Sequence, residues 1–424
     1  MKGNSPESGD QLSNRSVGFD KLFGALRITQ FRWIWSSSMF AALVQTLGLL
    51  TTGWLVLQVT NSAFWVGVSA GISGLGQLAF GVLGGVLADR VDRRYALIFF
   101  QCFTGILFFS LGLLVLNDLA SLPVIFFILF LRGVTIAGIL PFSNSLTFDV
   151  VGRNLILNAM AARLTAMNLS RILGGIIGGL LIGFVGTGVT LVIIRAIAVI
   201  GSIPLLFIRR RENIDRFDEK ESLVKMARQG IDYAVKNKAV RSLLFLSVLM
   251  EMFGFSHIIM LPVIARDVLG VGPSGLGMLS SAGGIGALVG TLGIASLDEY
   301  PAKHRLLLIT SCASGMFLIL FAASQWFVLS LFMAACVSLA LLAYDSLMAA
   351  ILALMSRDEM RGRIMGLHGL TFGFTPLGGF IAGAIASAIG SSFAVGIGGV
   401  AVLTYIFLTR HGLSDLTEEI NAVK

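Results

Sequence analysis

The ten residues Gly85-Val-Leu-Ala-Asp-Arg-Val-Asp-Arg-Arg94 place five charges between two long apolar stretches. A charged side chain at the centre of a membrane-spanning helix costs about 2.5 to 3.5 kcal/mol on insertion scales. Neither flanking stretch could absorb five of them. The sequence therefore predicts a short loop at the water interface, with a membrane-spanning helix on either side of it.

The composition of the whole chain is that of an integral membrane protein. Of its 424 residues, 56% are hydrophobic and only 13% are charged, and the mean hydropathy is +0.88. Soluble domains carry about 25% charged residues. A helix needs about 20 apolar residues to cross roughly 30 Å of hydrocarbon. The sequence predicts twelve such spans, at residues 33–58, 64–87, 95–116, 123–147, 158–185, 188–208, 242–265, 274–296, 305–323, 326–351, 364–389 and 393–409.

Lysine and arginine lie almost entirely on one side of these spans. Ten of them fall between Arg209 and Arg241, whereas the loops on the opposite side hold only Arg266. The positive-inside rule then predicts that both termini and the central segment are cytoplasmic and that the protein lies in the cell (inner or plasma) membrane. Basic loops beside anionic lipid explain the net charge of +8, so we predict no nucleic-acid partner.

The chain repeats itself at about half its length. A shift of 204 residues places Gly175 on Gly379, and a shift of 210 places Gly67 on Gly277. The repeat predicts two pseudo-symmetric bundles of six helices. The expected parts are a cytoplasmic tail with an interfacial segment at 1–32, an N-terminal bundle at 33–208, a cytoplasmic linker with a surface helix at 209–241, a C-terminal bundle at 242–409 and a cytoplasmic tail at 410–424.

These features resemble the major facilitator superfamily over residues 20–410. Within it, Phe31-Arg-Trp-Ile-Trp35 and Asp358-Glu-Met-Arg-Gly-Arg363, which leads into Pro376-Leu-Gly-Gly379, resemble the branch of bacterial siderophore and macrolide exporters. The charged loop departs from the family pattern at Asp92, where glycine is usual. The resemblance implies an all-α membrane fold whose two halves hold a substrate near the bilayer midplane and expose it to either side in turn.

Glycines at four-residue spacing allow helices to approach closely. Predicted span 5 carries Gly174, Gly175, Gly178 and Gly179. In the family, spans 5 and 8 and spans 2 and 11 meet between the halves, so the resemblance implies that these glycines permit sliding there. The alternative is that they tighten packing within one half.

The opening loop is a candidate cytoplasmic gate. Its residues are Gly85, Asp89, Arg90, Arg93, Arg94 and, from the end of span 4, Asp149. The resemblance implies that Asp89 approaches the first turn of span 11, where a carboxylate satisfies free backbone N–H groups and the helix dipole. Arg93 is expected to reach Asp149. The alternative is that these charges only mark the membrane boundary.

Charged and titratable side chains inside the spans mark candidate sites of substrate or proton coupling, because they are costly to keep there. The candidates are Arg132, Arg171, Glu251, His257 and Asp345. Arg132 resembles an arginine that proton-coupled members of the family carry in span 4, and it is expected to lie at a depth where it can face Arg171. A buried carboxyl group is either neutral or paired, and both states suit a carrier that binds and releases protons.

Each candidate also has a simpler interpretation. Glu251 can be the static partner of an arginine, and Asp345 can hold the inner gate. His257 can be a satisfied polar group rather than a pH-dependent switch.

The leading hypothesis is a proton-driven exporter, an antiporter that performs efflux of a small amphipathic or anionic molecule such as a drug-like compound or siderophore. Its expected partners are the lipid bilayer, the small-molecule substrate and the proton gradient, and a monomer is expected. The alternative within transport is an uncoupled facilitator or importer of a small metabolite. An enzyme is disfavoured because the four histidines are scattered over separate segments, and a receptor because it would leave the twofold repeat unexplained. The sequence has no nucleotide-binding P-loop, so ATP is not expected to be the direct fuel. We predict no cofactor and no metal site, since the three cysteines lie singly inside spans.

Overall fold

The computed structural model describes residues 24–88, 91–208, 223–297, 302–356 and 358–414, and these residues form helices joined by short turns. The membrane-spanning helices in this part of the chain are α1 (Thr29–Thr60), α2 (Ala63–Ala88), α3 (Arg93–Leu116), α4 to α6 (the run Leu122–Ser202), α7 (Lys238–Val268), α8 (Gly272–Ser296), α9 (Lys303–Ala323), α10 (Phe327–Met355), α11 (Asp358–Thr371 and Phe374–Ile389) and α12 (Ser391–Ser414).

Two glycines divide the run Leu122–Ser202 into three helices. The φ angle is 70° at Gly152 and 81° at Gly186, in the left-handed region that glycine alone adopts at little steric cost. Thus α4 ends at Gly152, α5 covers residues 154–185 and α6 covers residues 187–202. Eleven described stretches are long and apolar enough to span a membrane, and the 54-residue stretch Asn154–Phe207 supplies two spans. The described chain therefore has the twelve spans that the sequence predicts.

The first span begins earlier than expected. A 3₁₀ turn, Gly24–Arg27, leads into α1 at Thr29. The Ala25 N–H donates to Oδ1 of Asn158 in α5 at 2.7 Å, and Ala25 is fully buried. The first span thus begins four residues before the predicted start at residue 33, and the interfacial position expected for the segment 1–32 stays a prediction. Residues 1–23 lie outside the described chain.

Helices α7 and α11 are discontinuous, although the sequence predicts continuous spans. In α7, π-helical turns at Met250–Gly254 and Ile264–Val268 flank a short α-helix, His257–Val263. In α11 the regular helix stops at Thr371 and resumes at Phe374. Such interruptions are frequent at functional sites, because they free backbone groups and redirect side chains.

A surface helix joins the two halves of the chain, as the periodicity of the sequence predicts. This linker helix covers Leu223–Lys236 and packs on α11, since a Cβ added to Gly230 would lie 3.3 Å from Cβ of Arg363. Helix α7 begins at Lys238, inside the stretch expected to be linker. Residues 209–222 lie outside the described chain.

The two halves meet at one end of the molecule. We call the end that carries the linker helix the linker end, and the opposite end the distal end. Near the distal end, a Cβ added to Gly277 of α8 would lie 2.4 Å from the carbonyl oxygen of Gly175 in α5. Likewise, a Cβ added to Gly67 of α2 would lie 2.6 Å from the carbonyl oxygen of Gly379 in α11. Backbone therefore packs directly on backbone between the halves, as expected for these helix pairs.

Glycines of these helices near the linker end have no such close neighbours in the described chain. A Cβ added to Gly81 of α2, to Gly293 of α8 or to Gly366 of α11 would meet no atom of the described chain within 4 Å. These glycines lie on the same helices that touch near the distal end. In the described residues, the closest glycine contacts between the halves thus lie toward the distal end.

Candidate substrate and coupling site

The two discontinuous helices meet at Glu251. This residue lies in the first π-helical turn of α7 and is only 4% exposed. The hydroxyl of Thr375, at the start of the second segment of α11, donates a hydrogen bond to Oε2 of Glu251. A carboxyl group buried to this extent must be neutral, paired or hydrogen-bonded, and Thr375 supplies one partner.

A guanidinium from the other half of the molecule lies within electrostatic range of this site. Arg171 of α5 interacts electrostatically with Glu251 of α7 and Asp345 of α10. Helix α5 belongs to the N-terminal bundle, whereas α7 and α10 belong to the C-terminal bundle. Three of the five coupling candidates therefore come together across the boundary between the halves, near the middle of their helices.

A histidine that sequence reasoning missed extends the cluster. His368 of α11 places Nε2 3.5 Å from Oδ1 of Asp345 and Nδ1 3.4 Å from Oγ of Ser247. The hydroxyl of Tyr344 donates to the same serine oxygen at 3.4 Å. His368 lies inside the predicted span 364–389. The cost of a titratable side chain inside a span, which singled out His257, therefore applies equally to His368.

Arg132 belongs to a different network. Its Nη2 donates to Oε1 of Gln45 in α1 at 3.1 Å, and its guanidinium lies 5.6 Å from the ring centroid of Phe108 in α3. The residue is 6% exposed, and its Nε has no hydrogen-bond partner in the described chain. Arg132 thus contacts side chains of its own bundle, whereas Arg171 interacts electrostatically with acidic side chains of the other.

His257 satisfies the backbone at the break in α7. Its Nδ1 lies 2.7 Å from the carbonyl oxygen of Gly254, and the residue is 3% exposed. These contacts correspond to the simpler interpretation of this histidine as a satisfied polar group. Its ring packs beside that of Phe321.

A second buried arginine was also missed. Arg163 of α5 is 6% exposed, and its Nη1 donates to Oδ1 of Asn144 in α4 at 2.7 Å. No carboxylate pairs with it among the described residues. Arg163 lies inside the predicted span 158–185, so the cost of an intramembrane charge was a signal that could have found it.

The four glycines of α5 divide into two pairs. Added Cβ atoms at Gly175 and Gly179 would meet backbone of α8 in the other half, at 2.7 Å and 2.8 Å. Those at Gly174 and Gly178 would instead meet side chains of α1 in the same half. The expectation of an interface between the halves is therefore corrected for Gly174 and Gly178, because the helical turn directs them to a neighbouring face.

The described end of the charged loop, from Asp92 to Arg94, is held by contacts within its own half. Nη1 of Arg93 lies 2.5 Å from the carboxylate of Asp149, the contact that the sequence predicts. Arg94 donates to the carbonyl oxygens of Leu206 and Ile208 at 2.6 and 2.9 Å. Asp92 accepts from the Arg94 N–H at 3.0 Å and so caps α3, which gives the residue that departs from the family pattern a local role.

The gate itself stays a prediction. Asp89 and Arg90 lie outside the described residues, and Gly85 lies within α2. At Gly362 and Gly366, where the gate partner was expected, an added Cβ would meet nothing of the described chain within 4 Å.

An arginine links the halves at the distal end. Nη1 of Arg266, at the end of α7, donates to the carbonyl oxygen of Leu57 at 3.0 Å and to Oδ1 of Asn61 at 2.9 Å. Both acceptors lie at the carboxyl end of α1, where free carbonyls and the helix dipole favour a cation. This contact accompanies the glycine packing between the halves near the distal end.

Twelve spanning helices in two halves, with a buried polar cluster between them, define a membrane transporter. The chain matches the transmembrane secretion effector family over residues 21–421, and it belongs to that family of the major facilitator superfamily.

Two curated relatives are exporters. The enterobactin exporter EntS of Escherichia coli (strain K12) is 26% identical over 369 residues, which are 84% of this chain and 86% of that protein. The enterobactin exporter EntS of Shigella dysenteriae serotype 1 (strain Sd197) matches with the same identity and coverage.

Solved structures show the same fold at lower identity. The nucleoside transporter NupG superposes with a TM-score of 0.73 at 15% identity, covering 90% of this chain and 98% of that one. A bacterial homologue of the human lysosomal transporter Spinster, in an inward-facing and unoccupied conformation, superposes with a TM-score of 0.66 at 15% identity, covering 92% and 98%.

Proposed function

We propose that this transporter is a proton-driven exporter of a small anionic or amphipathic molecule of the siderophore type. The observation that carries the proposal is the buried Glu251, which shares a cluster with Arg171 across the boundary between the halves. An ionised Glu251 attracts Arg171, and a protonated one does not. Binding of a proton therefore weakens a contact between the halves, and a proton can bias the conformational equilibrium only through such a differential interaction.

The N-terminal bundle supports an anionic cargo. Arg132 and Arg163 are both buried, each has an unpartnered Nε, and neither is paired with a carboxylate in the described chain. An uncompensated buried charge is costly, and a bound anion would reduce that cost. The similarity to enterobactin exporters supports a siderophore in particular.

The proposed orientation places the linker end in the cytoplasm, together with both termini. The linker end would then receive cargo from the cytoplasm, and the distal end, where backbone packs on backbone between the halves, would face outward. Release outside requires the opposite state, and in the proposed cycle the halves rock between the two. We propose that a monomer in the inner membrane carries out this cycle.

Transport in inverted membrane vesicles tests the coupling. We expect labelled enterobactin to accumulate in vesicles whose interior is acidified, and to leave again when a protonophore collapses the pH gradient. The control is a set of vesicles that lack the protein. An uncoupled facilitator, the second candidate, would equilibrate the label without accumulation, and accumulation that survives the protonophore would contradict proton coupling.

Cysteine labelling tests the orientation. After replacement of the three native cysteines, Ser62→Cys and Asn117→Cys should react with a membrane-impermeant maleimide in intact cells, because both lie in distal turns. Gln229→Cys in the linker helix should react only after the membrane is permeabilised. The reverse pattern would place the linker end outside.

A further inference from the structure

We infer that His368 and Asp345 form a second proton-binding site of this transporter, separate from Glu251. The inference rests on the proposed proton coupling and adds a residue to it. His368 is 5% exposed, whereas the side chain of Asp345 is 26% exposed. The imidazole is thus held inside the protein, while part of the carboxylate beside it lies at the surface of the described chain.

The geometry leaves one position for that proton. Oδ1 of Asp345 is buried and receives no hydrogen bond in the described chain, although Nε2 of His368 lies 3.5 Å away. When Nδ1 of the neutral ring carries the hydrogen and Ser247 accepts it, Nε2 presents a lone pair to the carboxylate. A proton that adds to Nε2 gives the ring an N–H at this position, and a small approach of the ring to Oδ1 then allows a hydrogen bond between the two groups. The net charge of the His368–Asp345 pair then changes from −1 to 0, and one proton is the only species taken up.

Asp345 also interacts with groups on three helices. These groups are Tyr344 on α10, Glu251 on α7 and Arg171 on α5. The charged side chains of the adjacent linker helix, Asp232 and Lys236, are exposed.

The two acidic residues hold different segments of α11. Glu251 binds Thr375 in the distal segment, whereas Asp345 faces His368 in the linker-end segment. The helix is interrupted between them, after Thr371. A proton on the His368–Asp345 pair therefore fixes the linker-end segment Asp358–Thr371 against α10 without requiring movement of the distal segment.

Hydrogen–deuterium exchange tests this inference with the proton itself as the probe, so that no cargo is needed. We compare protection factors, which remove the intrinsic pH dependence of exchange, for Asp358–Thr371 between about pH 5 and 8, where histidine titrates. In the unaltered full-length protein, acidification should raise protection of this segment about tenfold or more, as expected for a charge-assisted hydrogen bond. His368→Gln and Asp345→Asn should each abolish the rise.

The matched control is His304→Gln, at the start of α9, which should keep the full pH response. The protection of α10 at a single pH reports whether each variant is folded. A pH response that persists in His368→Gln, or that is lost in His304→Gln, overturns the inference, as does a flat profile in the unaltered protein. If the pair responds to pH but the vesicle assay shows no gradient-driven accumulation, the proposed function fails and the proton-binding site stands.

Discussion

Replacement of Glu251 by glutamine is expected to reduce gradient-driven accumulation about tenfold for each unit of the pH gradient, because one unit supplies about 1.4 kcal/mol per coupled proton. Glutamine keeps the volume of the side chain and still accepts the hydrogen bond of Thr375, but it cannot ionise or bind a proton. Exchange of labelled for unlabelled enterobactin across vesicles without a gradient should persist, because exchange needs movement of the halves but no net proton transfer.

The matched control for Glu251→Gln is Asp118→Asn, in the turn between α3 and α4. Asp118 has a positive φ of 56°, which asparagine also adopts readily, so this change removes a carboxylate without straining the turn. It should transport like the unaltered protein. Normal accumulation by Glu251→Gln would reduce the residue to a static partner of Arg171, and loss of exchange along with accumulation would point to a damaged fold or binding site.

Substitution of alanine for Gly277 is expected to open the distal end. The added Cβ would lie 2.4 Å from the carbonyl oxygen of Gly175 and 2.7 Å from Cα of Gly179, so the backbones of α8 and α5 must move apart. Overpacking of this kind costs about 1 to 3 kcal/mol, which would shift a two-state equilibrium about five- to 150-fold away from the closed form. Transport should fall, because the cycle would lack a stable distal-closed state.

Spin labels at Ser62→Cys and Ile389→Cys, at the distal ends of α2 and α11, measure this opening by double electron–electron resonance. Gly277→Ala should populate longer distances than the parent. Gly293→Ala is the matched control on the same helix, since its Cβ would meet no described atom within 4 Å. An unchanged distance distribution in Gly277→Ala would mean that the close glycine contact does not control the distal end.

The chemistry of the site was only partly readable from the sequence. The cost of a charge in hydrocarbon singled out Arg171, Glu251 and Asp345, and the structure brings these three together. The cost of a charge in hydrocarbon also applies to Arg163 and His368, which the sequence prediction omitted. Their partners lie on other helices, so the sequence alone does not reveal them. Asn144, Ser247 and Thr375 are ordinary polar residues in a sequence, and only packing makes them ligands of a buried charge.

The glycines of α5 also separate what the sequence predicts about packing from what only the tertiary structure shows. Four-residue spacing predicts that a face of α5 packs closely, but it does not say against which helix. Gly174 and Gly178 face α1 in their own half, whereas Gly175 and Gly179 face α8 in the other. Gly174 and Gly175 are consecutive residues, so the helical turn directs them to different faces of α5. Only the placement of the neighbouring helices shows which helix each face contacts.

The sequence by itself determined the membrane environment, the twelve spans, the two halves and their family, because these depend on hydrophobic length, charge asymmetry and repetition along one chain. The tertiary structure alone decided where the halves pack most closely, where α7 and α11 are interrupted, and which charges share a site. The interruptions leave no mark on the average hydrophobicity of a span, since each is only a few residues long within a stretch of 30 or 31 mostly apolar residues. Partners such as Asp345 and His368 are 23 residues apart in the chain, and two helices packing side by side bring them together.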